Sequence, residues 1–376
     1  MPKSKKLLKT LRFGIEFELF TLNERGFMVN GADRLITRVK KEYPSVRIKK
    51  EAGKNMIEII TPPHLHVPVA MMNALEDFEK VVSAAKKEKI ILYSYGTYPG
   101  TFTPEIENHK RYLVEQKIIG QERYLINGRC AGLHFHFSLP WGVFDKTSKA
   151  IKPHANSKNM QNLLHLHNLC IAIDPAITTL SQSSPFYQGQ QLGKDSRVIA
   201  YRGGKALKYP NGLYTHFAKL GALQSYESTN AEIQNTISDR FNDLKKLFKK
   251  FGHNISSFER HKTILGSSWN PVKISPHGTM EIRGTDMNHP DVIIALAILL
   301  KFIIKEVQEK YLKIMPCNAG IKKPFHFDGE KILIPPDDYV INHLQPLAAY
   351  KGVSNIEVYK YCKALIRLGR KFIPKS

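Results

Sequence analysis

Four short segments of the sequence alternate apolar side chains with carboxylates or imidazoles. Successive side chains of a β-strand point to opposite faces, so each segment predicts a strand with one apolar and one ionisable face. Arg283 shares its predicted face with a carboxylate two residues earlier. The ionisable faces of the four segments carry Glu16 and Glu18, Glu58, His134 and His136, and Glu281.

These side chains would gather on one surface if the four strands share a sheet. Clustered carboxylates repel one another unless they take up protons or bind cations. Oxygen ligands with few histidines suit Mg²⁺ or Mn²⁺, and such ions commonly bridge to nucleotide phosphates. A guanidinium beside them, such as that of Arg283, can stabilise a phosphoryl group during transfer. The alternative is an ordinary solvent-facing sheet, although Lys and Thr, which are common on such faces, are nearly missing here.

The elements around these strands do not follow a regular βαβ rhythm. The pattern predicts an α+β fold, with a mostly antiparallel sheet and helices packed on one side. Asp174–Pro175 is expected to end a helix, and residues 180–204 are expected to form a loop. Strands are predicted at 11–20, 55–61, 90–95, 133–139 and 279–283, and helices at 69–85, 160–173, 231–251, 290–312 and 356–368.

Composition places few limits on partners. The chain has 376 residues and a formal net charge of +23, which attracts polyanions. The charge is spread along the chain and no nucleic-acid module accompanies it, so a nucleic-acid partner is not expected. The four cysteines form no CxxC pair, which favours a reducing, cytoplasmic location. The longest apolar run, 292–304, is too short to span a bilayer, so no membrane partner is expected.

Six motifs occur in an order that is typical of one enzyme family. The chain resembles the glutamate–cysteine ligases and related carboxylate–amine ligases, which are similar in fold to glutamine synthetase. The resemblance covers residues 12–290. The motifs are GIEFE at 14–18, EIITP at 58–62, YGT at 95–97 with RY at 111–112, GLHFHFSLP at 132–140, SPFYQG at 184–189, and GTMEIR at 278–283 after Trp269.

The resemblance implies how the chain is organised. It implies a funnel-like, curved sheet with helices packed on its outer face, as in the catalytic domain of glutamine synthetase. We expect a single catalytic domain over residues 1–376, with a ligase-like core at 12–290 and a C-terminal helical extension at 291–376.

The resemblance also implies two divalent-ion sites that share one carboxylate. His136 is a possible further contact to a metal or a phosphate. The implied ligands are Glu18, Glu58 and Glu281 for one ion, and Glu16, His134 and Glu281 for the other.

The remaining implied roles concern the substrates. Arg283 would contact the γ-phosphate of ATP, and Glu51 falls where relatives have an acid near the amine acceptor. Tyr112 falls in an element that relatives use near the substrate. Arg197 and Arg202 are candidates for binding the acid substrate, because a guanidinium can bind a carboxylate in bidentate fashion.

The implied activity is ATP-dependent formation of an amide through an acyl phosphate, with Mg²⁺ or Mn²⁺. The acid would be glutamate or a related amino acid, and the acceptor cysteine or another amine. Two alternatives remain at this point, namely a metal-dependent phosphotransferase and a non-catalytic basic module that docks nucleic acid or an acidic protein. The positive charge also allows the carboxylate to belong to an acidic protein or polymer.

Overall fold

A computed structural model describes residues 11–152, 157–252 and 263–374 of the protein. The described strands are β1 (Phe13–Leu22), β2 (Ile48–Lys50), β3 (Met56–Ile60), β4 (Ile91–Tyr93), β5 (Gly132–Ser138), β6 (Phe144–Asp145), β7 (Ala150–Ile151), β8 (Phe186–Tyr187), β9 (Gln190–Gln191), β10 (Val272–Ile274), β11 (Thr279–Asp286), β12 (Lys313–Pro316) and β13 (Lys331–Ile334). Seven of them form one sheet in the order β10-β11-β5-β1-β3-β2, with β4 also paired to β1, and every pairing in it is antiparallel.

The described helices surround this sheet and follow the predicted helical segments, with several additions. They are α1 (Ala32–Glu42), α2 (Val67–Lys87), α3 (Lys110–Ile119), α4 (Gln121–Tyr124), α5 (Lys158–Leu180), α6 (Ser196–Arg202), α7 (Gly204–Leu207), α8 (Ala218–Gly221), α9 (Asn230–Lys250), α10 (Pro290–Lys310), α11 (Ala319–Lys322), α12 (Asp337–Tyr339), α13 (Gln345–Lys351) and α14 (Ile356–Phe372).

The four strands predicted from alternation are β1, β3, β5 and β11, and they lie side by side in the sheet. Their apolar side chains are buried in the main core, as the near-zero exposure of Ile15, Phe135 and Ile282 illustrates. Burial of one face fixes the register of a strand, because a one-residue slip would exchange its two faces. The ionisable side chains therefore share the opposite face of the sheet.

Helix α5 lies at the centre of the molecule and contacts β11, α10 and α14. The sequence predicts a break at Asp174–Pro175, and this prediction is wrong, because the helix continues to Leu180. A proline inside a helix costs about 3 kcal/mol. Burial of almost the whole C-terminal half of α5, and the anchoring of Asp174 described below, offset this cost.

The same helix is the one described segment that has the length and composition of a membrane span. Inside the protein, 89% of its apolar window is buried, which is the environment of a core helix.

The predicted loop at 180–204 is only partly correct. Residues 196–202 form α6, whose first turn is capped by the Asp195 side chain, which accepts a hydrogen bond from the Val198 N–H at 2.8 Å. A short hairpin, β8–β9, precedes it. Asp195 before an apolar run is an N-cap signal, and it could have identified the helix from the sequence.

The C-terminal part of the chain packs against the same core. Side chains of β1 and of α14 belong to one hydrophobic cluster, and α14 contacts both α5 and α10. Residues 291–374 also contain a two-stranded parallel sheet, β12–β13. The aromatic rings of Phe325 and Tyr361 meet beneath this region, with centroids 4.8 Å apart.

Candidate active site

The antiparallel register brings the predicted ionisable residues together. All six line one cavity of about 410 Å³ on the open face of the sheet. This convergence follows from pairing alone, because directly opposed residues on one face lie within about 5.5 Å of each other. The residues opposed across the ladders are Glu16 and His134, Glu18 and Glu58, and Glu281 and His136.

Glu16, His134 and Glu281 form a compact cluster on β1, β5 and β11. One potential ligand atom from each lies within 4.8 Å of the others. His134 Nδ1 lies 3.0 Å from Glu16 Oε2. His134 Nε2 is buried, lies 3.5 Å from Glu18 Oε1, and forms no hydrogen bond with any residue that the structure describes. Burial lowers the pKa of His134, which favours the neutral imidazole that binds metals. The cluster matches one of the two implied ligand sets.

The carboxylate of Glu16 is stabilised in its ionised form. Burial alone would raise its pKa, but hydrogen bonds with His134 and His136 outweigh burial and lower it below the usual range. His136 Nε2 lies 3.3 Å from Glu16 Oε1, and His136 Nδ1 lies 2.9 Å from the Thr279 hydroxyl. His134 and His136, both on β5, therefore contact different oxygen atoms of the Glu16 carboxylate.

Glu18 and Glu58 form the second part of the acidic surface. Burial raises the pKa of both carboxyl groups, and repulsion from Glu51 raises that of Glu58 further. The backbone N–H of Gly132 donates to Glu18, while Glu58 Oε1 is buried and forms no hydrogen bond within the described part of the chain. Lys49, opposite Glu58 on β2, places its Nζ 2.8 Å from Glu58 Oε2. Glu58 therefore retains one oxygen atom that the described protein groups do not satisfy.

Positive groups surround Glu281. Lys273 Nζ lies 3.3 Å and an Arg283 nitrogen 3.7 Å from its carboxylate. Burial alone would raise the pKa of Glu281, but Lys273, His136 and Arg283 lower it to about 2. Glu281 therefore remains ionised at neutral pH.

Three of the four residues predicted to act on the acid and amine substrates lie in the cavity. Glu51, Tyr112 and Arg197 line the cavity with Arg283. Burial and the nearby charge of Glu51 raise the pKa of Tyr112 to about 12, so its hydroxyl remains protonated. Arg197, on α6, donates to the backbone carbonyl groups of residues 284 and 283 at 3.1 and 3.2 Å. Its buried Nε has no hydrogen-bond partner among the described residues.

Arg202 does not reach the cavity, which corrects its prediction as a substrate-binding residue. Its guanidinium forms a bidentate pair with Asp174 of α5, at 2.6 and 2.9 Å, and donates to Gln345 at 2.8 Å. Both members of the pair are almost completely buried. The Arg202 side chain therefore links α6 to α5 and α13 through these hydrogen bonds.

Several cavity residues were not predicted from the sequence. Lys49 and Lys273 lie on β2 and β10, strands of three residues that are too short to show a clear alternation. Tyr201 and Trp269 also line the cavity. One sequence signal existed, since Lys273 lies ten residues before Arg283 in the region of the last motif.

An antiparallel sheet that presents acidic, histidine and arginine side chains to one cavity is the arrangement expected of ATP-dependent carboxylate–amine ligases. The comparisons with known proteins agree. The family model for glutamate–cysteine ligase family 2 matches residues 12–319. The chain belongs to this family, and it is a ligase of the glutamate–cysteine ligase-like type.

Individual relatives are distant. A glutamate–cysteine ligase of Halobacterium salinarum is 24% identical over 303 residues, which cover 79% of this chain and 71% of the relative. The crystal structure of glutamate–cysteine ligase from Francisella tularensis in complex with AMP superposes with a TM-score of 0.55 and 12% identity, covering 97% of this chain and 82% of that one. A bifunctional glutathione synthetase from Pasteurella multocida gives a TM-score of 0.53 at 11% identity, and this chain spans 46% of its length. These likenesses confirm the predicted α+β, glutamine synthetase-like fold.

Proposed function

We propose that this enzyme uses ATP to join a carboxyl group of glutamate, or of a related amino acid, to the amino group of cysteine or another amine. The observation that carries the proposal is the convergence of Glu16, His134 and Glu281 beside Arg283 in one cavity of a family 2 fold. In the proposed reaction the γ-phosphoryl group passes to a carboxylate oxygen and ADP leaves. The amine nitrogen then attacks the acyl carbon, phosphate leaves, and the nitrogen loses a proton.

The residues present fit divalent metal ions. Glu58 has a buried oxygen atom, and His134 a buried nitrogen atom, that form no hydrogen bond with the described residues. Carboxylate oxygens with an imidazole nitrogen are donors that Mg²⁺ or Mn²⁺ can use. When bound, such ions offset the charge of the phosphates during in-line transfer. Glu16, His134 and Glu281 would hold one ion, and Glu18 and Glu58 with the shared Glu281 the other.

The cationic groups beside the acidic cluster supply the phosphate contacts in this proposal. Arg283 carries a permanent charge, because the nearby Tyr201 and Glu281 raise its pKa although burial opposes this. Its contact with Glu281 holds the guanidinium toward the carboxylate cluster. A fixed cation at this position would stabilise negative charge that develops on the transferred phosphoryl group.

The substrate side of the cavity involves Arg197, Tyr112 and Glu51. The buried Nε of Arg197 has no acceptor among the residues that the structure describes. This supports a role in binding the acid substrate, since a carboxylate would supply the acceptor. Glu51 borders Glu58 and is proposed to lie near the amine acceptor, where a carboxylate could accept its proton.

Release of ADP tests the proposal directly. The purified protein is incubated with ATP and Mg²⁺ and a panel of acids, including glutamate, each with cysteine or another amine. Release that requires both an acid and an amine, with stoichiometric amide detected by mass spectrometry, is expected. A phosphorylated product without amide would instead indicate a phosphotransferase. Absence of release with every pair, while Mg·ATP binds, would contradict small amino-acid substrates and direct the test to acidic proteins and polymers. The cytoplasmic location stays a prediction.

A further inference from the structure

A second cavity lies outside the part of the chain that matches the family. It is a groove of about 610 Å³ between residues 321–326 and helix α14, and we call it the C-terminal groove. Every residue that lines it falls between 321 and 371, whereas the family match ends at residue 319. The ligase reaction as described above uses none of these residues.

The groove is strongly cationic. Of its 18 lining residues, six are Lys or Arg, a share about twice that of the whole chain. None of the six forms an ion pair with another residue that the structure describes. They are Lys322, Lys323, Lys360, Lys363, Arg367 and Lys371.

Glu357, the acidic residue in the lining of the groove, does not neutralise this positive charge. Glu357 accepts a hydrogen bond from the Tyr339 hydroxyl and lies 2.9 Å from His343 Nε2. Its carboxylate is therefore already bound to groups beside the groove. All six cations are exposed, and Lys363 Nζ also lies 5.6 Å from the centre of the Tyr359 ring.

The cations on α14 are arranged along one face. Spacings of three and four residues place Lys360, Lys363, Arg367 and Lys371 on successive turns of the helix. The row extends for roughly 16 Å at 1.5 Å per residue. A row of this length matches several consecutive acidic groups of a partner and exceeds what a single small anion needs.

Exposed apolar side chains accompany the charged row. Ile356 is 63% exposed and Tyr359 is 45% exposed at the first turn of α14, and Val353 just before them is 53% exposed. Neighbouring exposed apolar residues are typical of protein-binding surfaces. Single-stranded nucleic acid stacks successive bases on several exposed aromatic rings. Of the Phe and Tyr rings that line the groove only Tyr359 is exposed, because Phe325 and Tyr361 are buried.

From this combination we propose that the C-terminal groove binds an acidic, amphipathic segment of another protein. Apolar side chains of the segment contact Ile356 and Tyr359, and its carboxylates contact the cations of α14. A second copy of this chain is a poor occupant, because its formal net charge is also +23. The positive row also accelerates encounter with an acidic partner.

The test uses the full chain and a fluorescein-labelled peptide of about 12 residues, ~18 Å long as a helix, that repeats Glu-Glu-Leu-Phe. Binding is followed by fluorescence anisotropy. Two comparison probes are polyglutamate and single-stranded oligouridine, each of the same length. We expect saturable binding of the amphipathic peptide, weaker binding of polyglutamate, and no competition by oligouridine at equal concentration.

Variants locate the binding surface. Lys363→Glu with Arg367→Glu should weaken peptide binding about tenfold or more, and Ile356→Ser with Tyr359→Ser should weaken it several-fold. The matched control, Lys249→Glu with Lys250→Glu on α9, changes the net charge equally at exposed positions outside the groove and should leave binding within about twofold. ADP release should be unchanged in all three variants, which shows that the fold is intact.

Three outcomes would overturn the proposal. The first is an absence of saturable peptide binding. The second is an α9 control that weakens peptide binding as much as the groove variant does, or polyglutamate that binds as tightly as the amphipathic peptide. Either result would mean that binding depends only on general charge attraction. The third is tighter, competing binding of oligouridine, which would make the groove a nucleic-acid site. None of these results bears on the ligase reaction, whose failure is measured separately by ADP release.

Discussion

Lys273 and Glu281 lie directly opposite each other on β10 and β11, with Lys273 Nζ 3.3 Å from the Glu281 carboxylate. Lys49 and Glu58 repeat this arrangement on β2 and β3, with a separation of 2.8 Å. Both sides of the acidic surface are therefore bordered by a lysine from a three-residue strand. These lysines offset the repulsion among the carboxylates and leave cationic groups at the margins of a proposed phosphate site.

Replacement of Glu281 by Gln removes one negative charge and one oxygen ligand while keeping the shape of the side chain. We expect kcat to fall at least about 100-fold, because both proposed metal sites share this carboxylate. ADP release measures the effect. The control Glu309→Gln changes an exposed glutamate of α10 and should retain activity. Full activity of Glu281→Gln in a folded protein would reject the proposed site.

Removal of the Arg283 guanidinium by Arg283→Ala should lower kcat by about two to three orders of magnitude. The reason is that a fixed cation beside Glu281 stabilises phosphoryl transfer in the proposal. Steady-state kinetics and circular dichroism together separate this effect from misfolding. A normal kcat would mean that Arg283 serves only to pair with Glu281.

Arg197 and Arg202 belong to one short helix but should behave differently. Arg197→Met removes a guanidinium that faces the cavity, so the KM for the acid substrate should rise about tenfold or more while the KM for ATP stays within about twofold. An unchanged KM for the acid would show that another residue binds its carboxylate.

Arg202→Met should chiefly lower stability. It leaves the Asp174 carboxylate buried without its partner, which costs about 3–5 kcal/mol. Urea unfolding followed by circular dichroism measures the loss, and the double variant Arg202→Met with Asp174→Leu should recover part of it. Unchanged stability with a raised KM for the acid would restore Arg202 as a substrate-binding residue.

His167, buried in α5, predicts a specific pH dependence of stability. Burial and the nearby Arg240 lower its pKa from 6.5 to about 4. Between these two pH values the unfolded chain binds the proton and the folded protein does not, so the free energy of unfolding falls as pH falls. His167 therefore lowers the free energy of unfolding by about 3 kcal/mol at pH 4, and this loss disappears above pH 6.5.

Comparison of the wild-type protein with His167→Gln isolates this contribution from those of the buried carboxyl groups. Between pH 7 and pH 4 the free energy of unfolding of the wild-type protein should fall by about 3 kcal/mol more than that of the variant. Urea titrations at several pH values measure it. A pH-independent difference would show that His167 protonates equally in both states.

The sequence by itself determined the strands of the site and the chemistry of their faces. Alternation with period two in β1, β3, β5 and β11 is a local property, and burial of the apolar set leaves Glu16, His134 and Glu281 on the other face. The ordered motifs indicated the family for the same reason, since they consist mainly of these strands.

Only the tertiary structure decided which residues outside the long strands reach the cavity. Arg197 and Arg202 are five residues apart and chemically equivalent in the sequence, but α6 directs one to the cavity and the other to Asp174 of α5. Lys273 enters the site only through its pairing with β11. The persistence of α5 through Pro175 likewise depends on burial from several sides. Long-range packing sets these outcomes, and the local spacing of residues in the sequence does not predict it.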